Sequence, residues 1–160
     1  VATASNLTSV SLGSETSGSI LSPSSANSLV GMKPTIGNIS RAGIIPISSS
    51  LDTAGPMTKN VIDNIIVYNA INGYDNSDSY SIISNDIEID SIINFDPSNI
   101  RLGFYKNFYS SDSLYKKAIN KMKDDGINLY EIKAPNVNLS NFAKLLDEDM
   151  RTFKTKNILI

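Results

Sequence analysis

Gly13-Ser14-Glu15-Thr16-Ser17-Gly18-Ser19-Ile20 is the stretch on which the reading of this chain turns. Small residues let backbone N–H groups approach one point closely. A serine at the end of such a run sits where those groups converge, the geometry a nucleophile and its oxyanion hole require. Taken alone, the same stretch is also what a polar Gly/Ser loop without chemistry looks like. Just upstream, Ser9–Leu12 alternates and predicts a short strand, with residues 1–8 as the last turn of a helix. Gly13–Gly18 is read as loop, and Ser19–Asn27 as the start of a helix that tolerates Pro23 in its first turn.

Composition narrows the chemistry. A chain of 160 residues with 41% hydrophobic and 19% charged content fits one soluble globular domain. A net charge of -2 gives no reason to expect nucleic acid or an anionic membrane as partner. Cys is absent, so a thiolate nucleophile and a disulfide framework are excluded. His is absent too, which excludes a Ser-His-Asp or Cys-His site built within this chain and removes the commonest zinc ligand. Any general base must be Lys, Asp, Glu or Tyr, or come from elsewhere. No apolar run is long enough for a membrane span, and no signal-peptide pattern is present, so a cytoplasmic location is expected. The chain starts at Val1 in what reads as mid-element, and is expected to be a piece of a longer protein.

Downstream, Leu29–Met32 predicts a short strand ended by Lys33-Pro34. Residues 37–50 read as brief extended pieces, because Gly37, Gly43 and Pro46 break any helix. Leu51–Thr58 reads as a second turn-rich stretch, with Thr58 as N-cap of a helix over 59–72. Val61, Ile62, Ile65, Ile66, Val67, Ala70 and Ile71 make that helix apolar over most of its circumference, so burial is expected, and Gly73 suits its C-terminal turn. Residues 74–99 are rich in Asp, Asn and Ser and read as a long surface excursion. Arg101–Tyr105 predicts a strand. A helix capped by Asp112 or Ser113 runs to Asp124, Gly126 ends it, and Ile127–Ile132 is a second strand, which together predict a parallel βαβ unit. Asn138 or Ser140 opens a last helix carrying Phe142, Leu145, Leu146, Met150 and Phe153.

Three patterns now stand in order: Gly13–Ile20; Gly31-Met-Lys-Pro-Thr35 with Ser40-Arg-Ala-Gly-Ile-Ile-Pro46; and Asp52-Thr-Ala-Gly-Pro-Met-Thr58. The ordered set resembles the amidase signature family, and the likeness covers most of residues 1–160, with 74–99 the poorest part. It implies an α/β fold, a mixed twisted sheet flanked by helices and incomplete in this chain, with residues 1–160 forming the central part of one amidase domain. It implies a Ser-Ser-Lys amidohydrolase that cleaves a carboxamide C–N bond of a small amide substrate without a cofactor. Carried over by position, Ser19 is the nucleophile, and the backbone N–H groups of Thr16, Ser17, Gly18 and Ser19 form the oxyanion hole. The family's catalytic lysine and bridging serine lie N-terminal to this loop, outside the chain, so these 160 residues alone are expected to be inactive. The Gly-Ser-Glu-Thr-x-Gly-Ser-Ile form with Asp-Thr-Ala-Gly-Pro-Met looks most like stand-alone members, the 6-aminohexanoate-cyclic-dimer hydrolases and peptide amidases. Two other readings are carried alongside: a non-catalytic scaffold that binds a partner, and the A-type subunit of a tRNA-dependent amidotransferase.

The remaining candidates have blander readings. Lys33, the tempting internal base, matches a family lysine that is not the catalytic one. Arg41 and Asp52 read as a buried ion pair or as loop ties. Asp147-Glu148-Asp149 reads as a solvated helix face, because consecutive residues point in different directions. Phe104, Tyr105, Phe108 and Tyr109 read as packing, and Ser14, Ser22, Ser24 and Ser25 as caps and loop ties. A sheet cut short leaves an open edge, through which a homodimer is expected.

Overall fold

A computed structural model describes residues 1–133 together with Asn141, Lys144, Asp147 and Glu148. The chain is α/β and divides into two compact units, Val1–Ile89 with Ser140–Ile160, and Asp90–Leu139. The helix expected from Asn138 or Ser140 lies outside the described residues, apart from those four helical positions.

The first unit is built on a three-stranded antiparallel sheet in the order β1–β3–β2. Its strands are β1 (Ser11–Glu15), β2 (Val30–Gly31) and β3 (Thr53–Thr58). Two expectations are corrected here. The stretch 51–58 is not a turn: Thr53–Thr58 is the central strand. Gly13, Ser14 and Glu15 are not loop: β1 runs through them and pairs Gly13 with Gly55 and Glu15 with Thr53. Gly55 and Pro56 hid β3, since both residues are poor strand formers. Pro56 turns its carbonyl to the N–H of Met32 at 3.0 Å, so its missing N–H lies on the side of the short β2 and leaves the β1–β3 ladder whole.

Helix α1 (Leu21–Ala26) links β1 to β2 and includes Pro23 in its first turn, as expected. Helix α2 (Val61–Ile71) starts later than the sequence suggested. Asn60, not Thr58, is its N-cap and accepts from the N–H of Asp63 at 2.8 Å. Thr58 is fully buried and donates to the Asn60 carbonyl. Only part of α2 is covered: Asn64, Ile65 and Tyr68 are buried, whereas Val61 and Ile66 stay about half exposed. Asn64 docks it, its Nδ2 donating to Val30 O, Pro56 O and Thr58 Oγ1 at 2.9–3.2 Å. Residues 1–8 form turns with Ser5 N–H to Val1 O and Leu7 N–H to Ala2 O.

The second unit contains a parallel pair, β4 (Arg101–Tyr105) and β5 (Asn128–Ile132), as the βαβ reading predicted. Helix α5 (Ser113–Asp124) lies between them, capped by Asp112, whose carboxylate accepts from the N–H groups of Leu114 and Tyr115. The reading missed a short helix, α4 (Lys106–Ser111), directly after β4. Within the supposed excursion it also missed α3 (Ile89–Ile93) and a 3-10 turn at Pro97–Asn99.

Candidate active-site loop

The candidate nucleophile follows β1 and precedes α1. Glu15 ends the strand and is only 4% exposed. Its Oε2 accepts from the N–H of Ile20 at 2.7 Å and of Leu21 at 2.9 Å. These are N–H groups that no carbonyl within α1 serves, so one carboxylate both caps the helix and closes the loop 16–19 into a tight arc. Burial pushes the Glu15 carboxyl up, but the N–H groups of Leu21, Ile20 and Gly18 and the charge of Lys33 outweigh it and hold the group below its ordinary value. Lys33 is exposed, and its charge acts on Glu15 from there. Gly18, at φ +91°, supplies the left-handed residue the arc needs. Its carbonyl accepts from Ser22 N–H at 2.8 Å, which starts the helical turn.

Ile20 anchors the arc from below and is fully buried. A Cβ on Gly13, Gly31 or Gly55 would come within 3.1–3.3 Å of the Ile20 side chain. On Gly31 it would also stand 2.4 Å from Ser24 Oγ, and on Gly55 2.0 Å from the Met32 carbonyl. One glycine from each strand therefore makes the socket that seats Ile20. This gives the three sequence patterns a common physical cause, since each contributes one wall. Ser24, read as a cap or tie, is buried in this socket with its hydroxyl unpartnered among the described residues.

The site residues sit as follows. Ser19 and Ser17 are exposed; Thr16 and Gly18 are half-buried. Of the four N–H groups expected as oxyanion donors, that of Gly18 also acts on the Glu15 carboxylate. Thr16 Oγ1 donates to Asp52 Oδ1. The other oxygen, Asp52 Oδ2, accepts from the N–H groups of Ile47 at 2.7 Å and Ser48 at 3.0 Å.

Arg41 and Asp52 do not form the ion pair considered above; both are loop ties. Arg41 instead grips Asp78 through Nε and Nη2, both at 2.9 Å, and its backbone N–H adds a third bond at 3.0 Å. Nη1 donates to the Ser49 carbonyl at 2.6 Å. The guanidinium stacks on Tyr80, 4.4 Å from the ring centre. Hydrogen bonding to Arg41, against the upward push of burial, holds the Asp78 carboxyl far below the usual carboxylate range; Arg41 is raised in return. A cavity of about 240 Å³ beside this pair is lined by Arg41, Pro46, Asp52, Asp78 and Tyr80. The sequence carried a signal for Glu15, an acidic residue just ahead of a helix start. It carried none for Asp78, whose partner is far away in sequence. Among the described residues, no group of three or more Asp or Glu side chains is placed to hold a metal, and no helix is long and apolar enough to cross a membrane.

The family model described as Amidase matches residues 1–153. The chain is 38% identical over 141 residues to the glutamyl-tRNA(Gln) amidotransferase A subunit of Staphylococcus epidermidis, covering 84% of this chain and 29% of that protein. Among solved structures it is similar to the native peptide amidase of Stenotrophomonas maltophilia, with 36% identity, TM-score 0.77, and coverage of 91% of this chain and 31% of the other. It is also similar to the glutamyl-tRNA(Gln) amidotransferase A subunit of Thermotoga maritima, with 28% identity, TM-score 0.84, and coverage of 98% and 36%. The chain thus spans 29% of the length of the first curated relatives it matches.

Proposed function

This chain belongs to the amidase family, and we propose that the full-length protein hydrolyses a carboxamide C–N bond with Ser19 as nucleophile. The observation that carries the proposal is the arc 16–19: Ser19 is exposed at its end, while Glu15 and the buried Ile20 fix both sides. A backbone held this way carries the serine with little freedom left to lose on reaching an attack geometry. In the proposed reaction Ser19 Oγ bonds to the amide carbon and gives up its proton. The C–N bond then breaks, the proton goes to the leaving amine, and water hydrolyses the acyl ester to regenerate the serine. Backbone N–H groups beside Ser19 stabilise the oxyanion, a contribution of about 3 kcal/mol for each well-placed donor. The lysine base and bridging serine of a Ser-Ser-Lys scheme would come from segments outside these 160 residues.

The same proposal places the protein among stand-alone hydrolases of small amides, near peptide amidases and 6-aminohexanoate-cyclic-dimer hydrolases, acting in the cytoplasm. Likeness to the peptide amidase supports that branch. The 38% identity to an amidotransferase component favours a second reading, a protein that works only with a partner chain. Treating the full-length protein with a fluorophosphonate tests the first point. The expected result is one covalent adduct, on Ser19; an intact protein that takes up no label at Ser19 sinks the proposal. Release of hydroxamate from simple amides plus hydroxylamine by the protein alone supports the stand-alone branch, whereas co-purification of a partner chain required for that activity supports the second.

A further inference from the structure

Loop 47–52 lies between two grips. On one side, Arg41 Nη1 holds the Ser49 carbonyl at 2.6 Å and reaches the Asp52 carbonyl at 3.5 Å. On the other, the Asp52 carboxylate spans the N–H groups of Ile47 and Ser48 and the hydroxyl of Thr16. Arg41 itself is fixed by three bonds to Asp78 and by the Tyr80 ring. Segment 73–82 that carries Asp78 is tied down in turn. Gly73 N–H donates to Asn38 O and Ile82 N–H to Gly37 O, both at 3.0 Å, and Ser40 Oγ donates to Asp75 at 2.6 Å. The result is a continuous run of hydrogen bonds from segment 73–82 to Thr16, three positions before Ser19.

We propose that Asp52, braced by the Arg41–Asp78 clamp, is a positioning residue that fixes Thr16 and with it the N–H groups beside Ser19. This rests on the amidohydrolase reading given above. The physical case is one of rigidity. Asp52 is buried, and each of its carboxylate oxygens accepts at least one donor, so it has one orientation in which all are satisfied. Thr16 has no comparable second tie among the described residues. Glu15 holds the far end of the arc through Ile20 and Leu21, and Asp52 holds the near end. Two anchors leave the short span between them little room to move. Segment 73–82 then influences the reactive serine without touching it, which gives a region read as mere surface a part in setting the site.

The test uses the full-length protein and the rate constant of fluorophosphonate labelling at Ser19, measured at a temperature where circular dichroism shows each variant to be fully folded. Labelling of the unaltered protein at Ser19 tests the nucleophile of that reading separately; its absence overturns that reading and this inference together. Given labelling, Thr16→Val keeps the shape but removes the donor, and is expected to slow the reaction by about 30-fold, since a sub-ångström misplacement of catalytic groups has effects of this order. Thr16→Ser restores the donor and is expected to stay within about threefold of the original. Asp78→Asn, remote from the serine, is expected to slow labelling by about fivefold and to lower kcat toward a simple carboxamide while leaving KM unchanged. Equal rates for Thr16→Val and the original protein overturn the inference, as does Thr16→Ser as slow as Thr16→Val. An Asp78→Asn protein that loses thermal stability but labels at the original rate confines the clamp to a structural role, and overturns that part of it.

Discussion

The two units of this chain are held together by different means. In residues 1–89 the buried set is largely polar: Thr3, Glu15, Ser24, Ser48, Asp52, Thr53, Thr58, Asn64 and Asp78 are buried beside Ile20, Ile39, Ile65 and Tyr68. Most of these polar groups have named partners, and backbones meet backbones across glycine. In residues 90–133 Ile119 is the one buried hydrophobic side chain among the described residues, and no polar group there is buried. That unit rests on a parallel strand pair, a capped helix and aromatic edges such as Tyr105–Phe108 at 6.0 Å. The first unit is specified contact by contact. The second is specified by repeating patterns that many sequences would satisfy. Single atoms should therefore matter in one and hardly in the other.

The sharpest way to break this comparison is at Ile20. Ile20 is fully buried, so Ile20→Ala leaves a cavity that the Ser24 and Met57 side chains beside the three glycines fill only in part, and a loss of about 4 kcal/mol is expected. The shift of the urea midpoint of the full-length protein measures it. A loss no larger than that of an exposed substitution would mean the socket is not a rigid feature. The reciprocal change, Gly55→Ala, adds one carbon 2.0 Å from the Met32 carbonyl. Backbone cannot rotate away as a side chain would, so a cost of about 3 kcal/mol is expected, at the upper end for overpacking. Hydrogen exchange at β1 and β3 should accelerate with it, while that of β4 and β5 stays unchanged. Exchange that quickens equally in both units would erase the distinction.

The same contrast explains what could be read from the sequence. Helix α5 was legible because Leu114, Ala118, Ile119 and Met122 recur at helical spacing and Asp112 precedes them. The strands on either side were legible for the same reason, as alternating or apolar runs between turns. Ser19 stood out as the candidate nucleophile only through the resemblance, as part of an ordered set of patterns. Why those patterns travel together was not legible, because the socket around Ile20 is a three-strand meeting that no local period encodes. Strand β3 was hidden by Gly55 and Pro56, whose strand conformation is imposed by their pairing with Gly13 and Leu12 of β1. The clamp on Arg41 was hidden because Asp78 sits in a polar segment with no period at all.

Acid should weaken the first unit through buried carboxyls, whereas in the second the lowered carboxyl of Asp96 is exposed and tied to Ser98. A carboxyl held below its ordinary value in the fold contributes stability at pH values above the unfolded-state pKa, and that stability is lost as pH falls toward the folded value. Glu15 and Asp78 are both lowered. The first unit is therefore expected to weaken as pH drops below about 4, where unfolded carboxyls take up protons. Exchange protection at β1 and β3, followed between pH 6 and pH 3 at matched intrinsic rates, is expected to fall with pH. Asp78→Asn should flatten that dependence while lowering protection at the upper end. A slope identical in the variant would show that the Arg41–Asp78 pair is not the linked group.

The smallest effect belongs to the second unit and bears most directly on how it is specified. Asp112 is its best-defined polar contact, accepting from the N–H groups of Leu114 and Tyr115 at 2.8 and 3.0 Å. Asp112→Ala removes a cap from an exposed helix end, where water can take over the freed N–H groups, so the expected cost is about 1 kcal/mol. Asp112→Asn keeps an accepting oxygen and should recover most of it. This is the reverse of what holds at Glu15, where the accepting carboxylate is buried. The loss should also stay local, visible as faster exchange in α5 with β1 and β3 unaffected. An Asp112→Ala protein that loses as much as Ile20→Ala would mean that the second unit, too, depends on individual contacts, and that its legibility in the sequence came from something other than pattern.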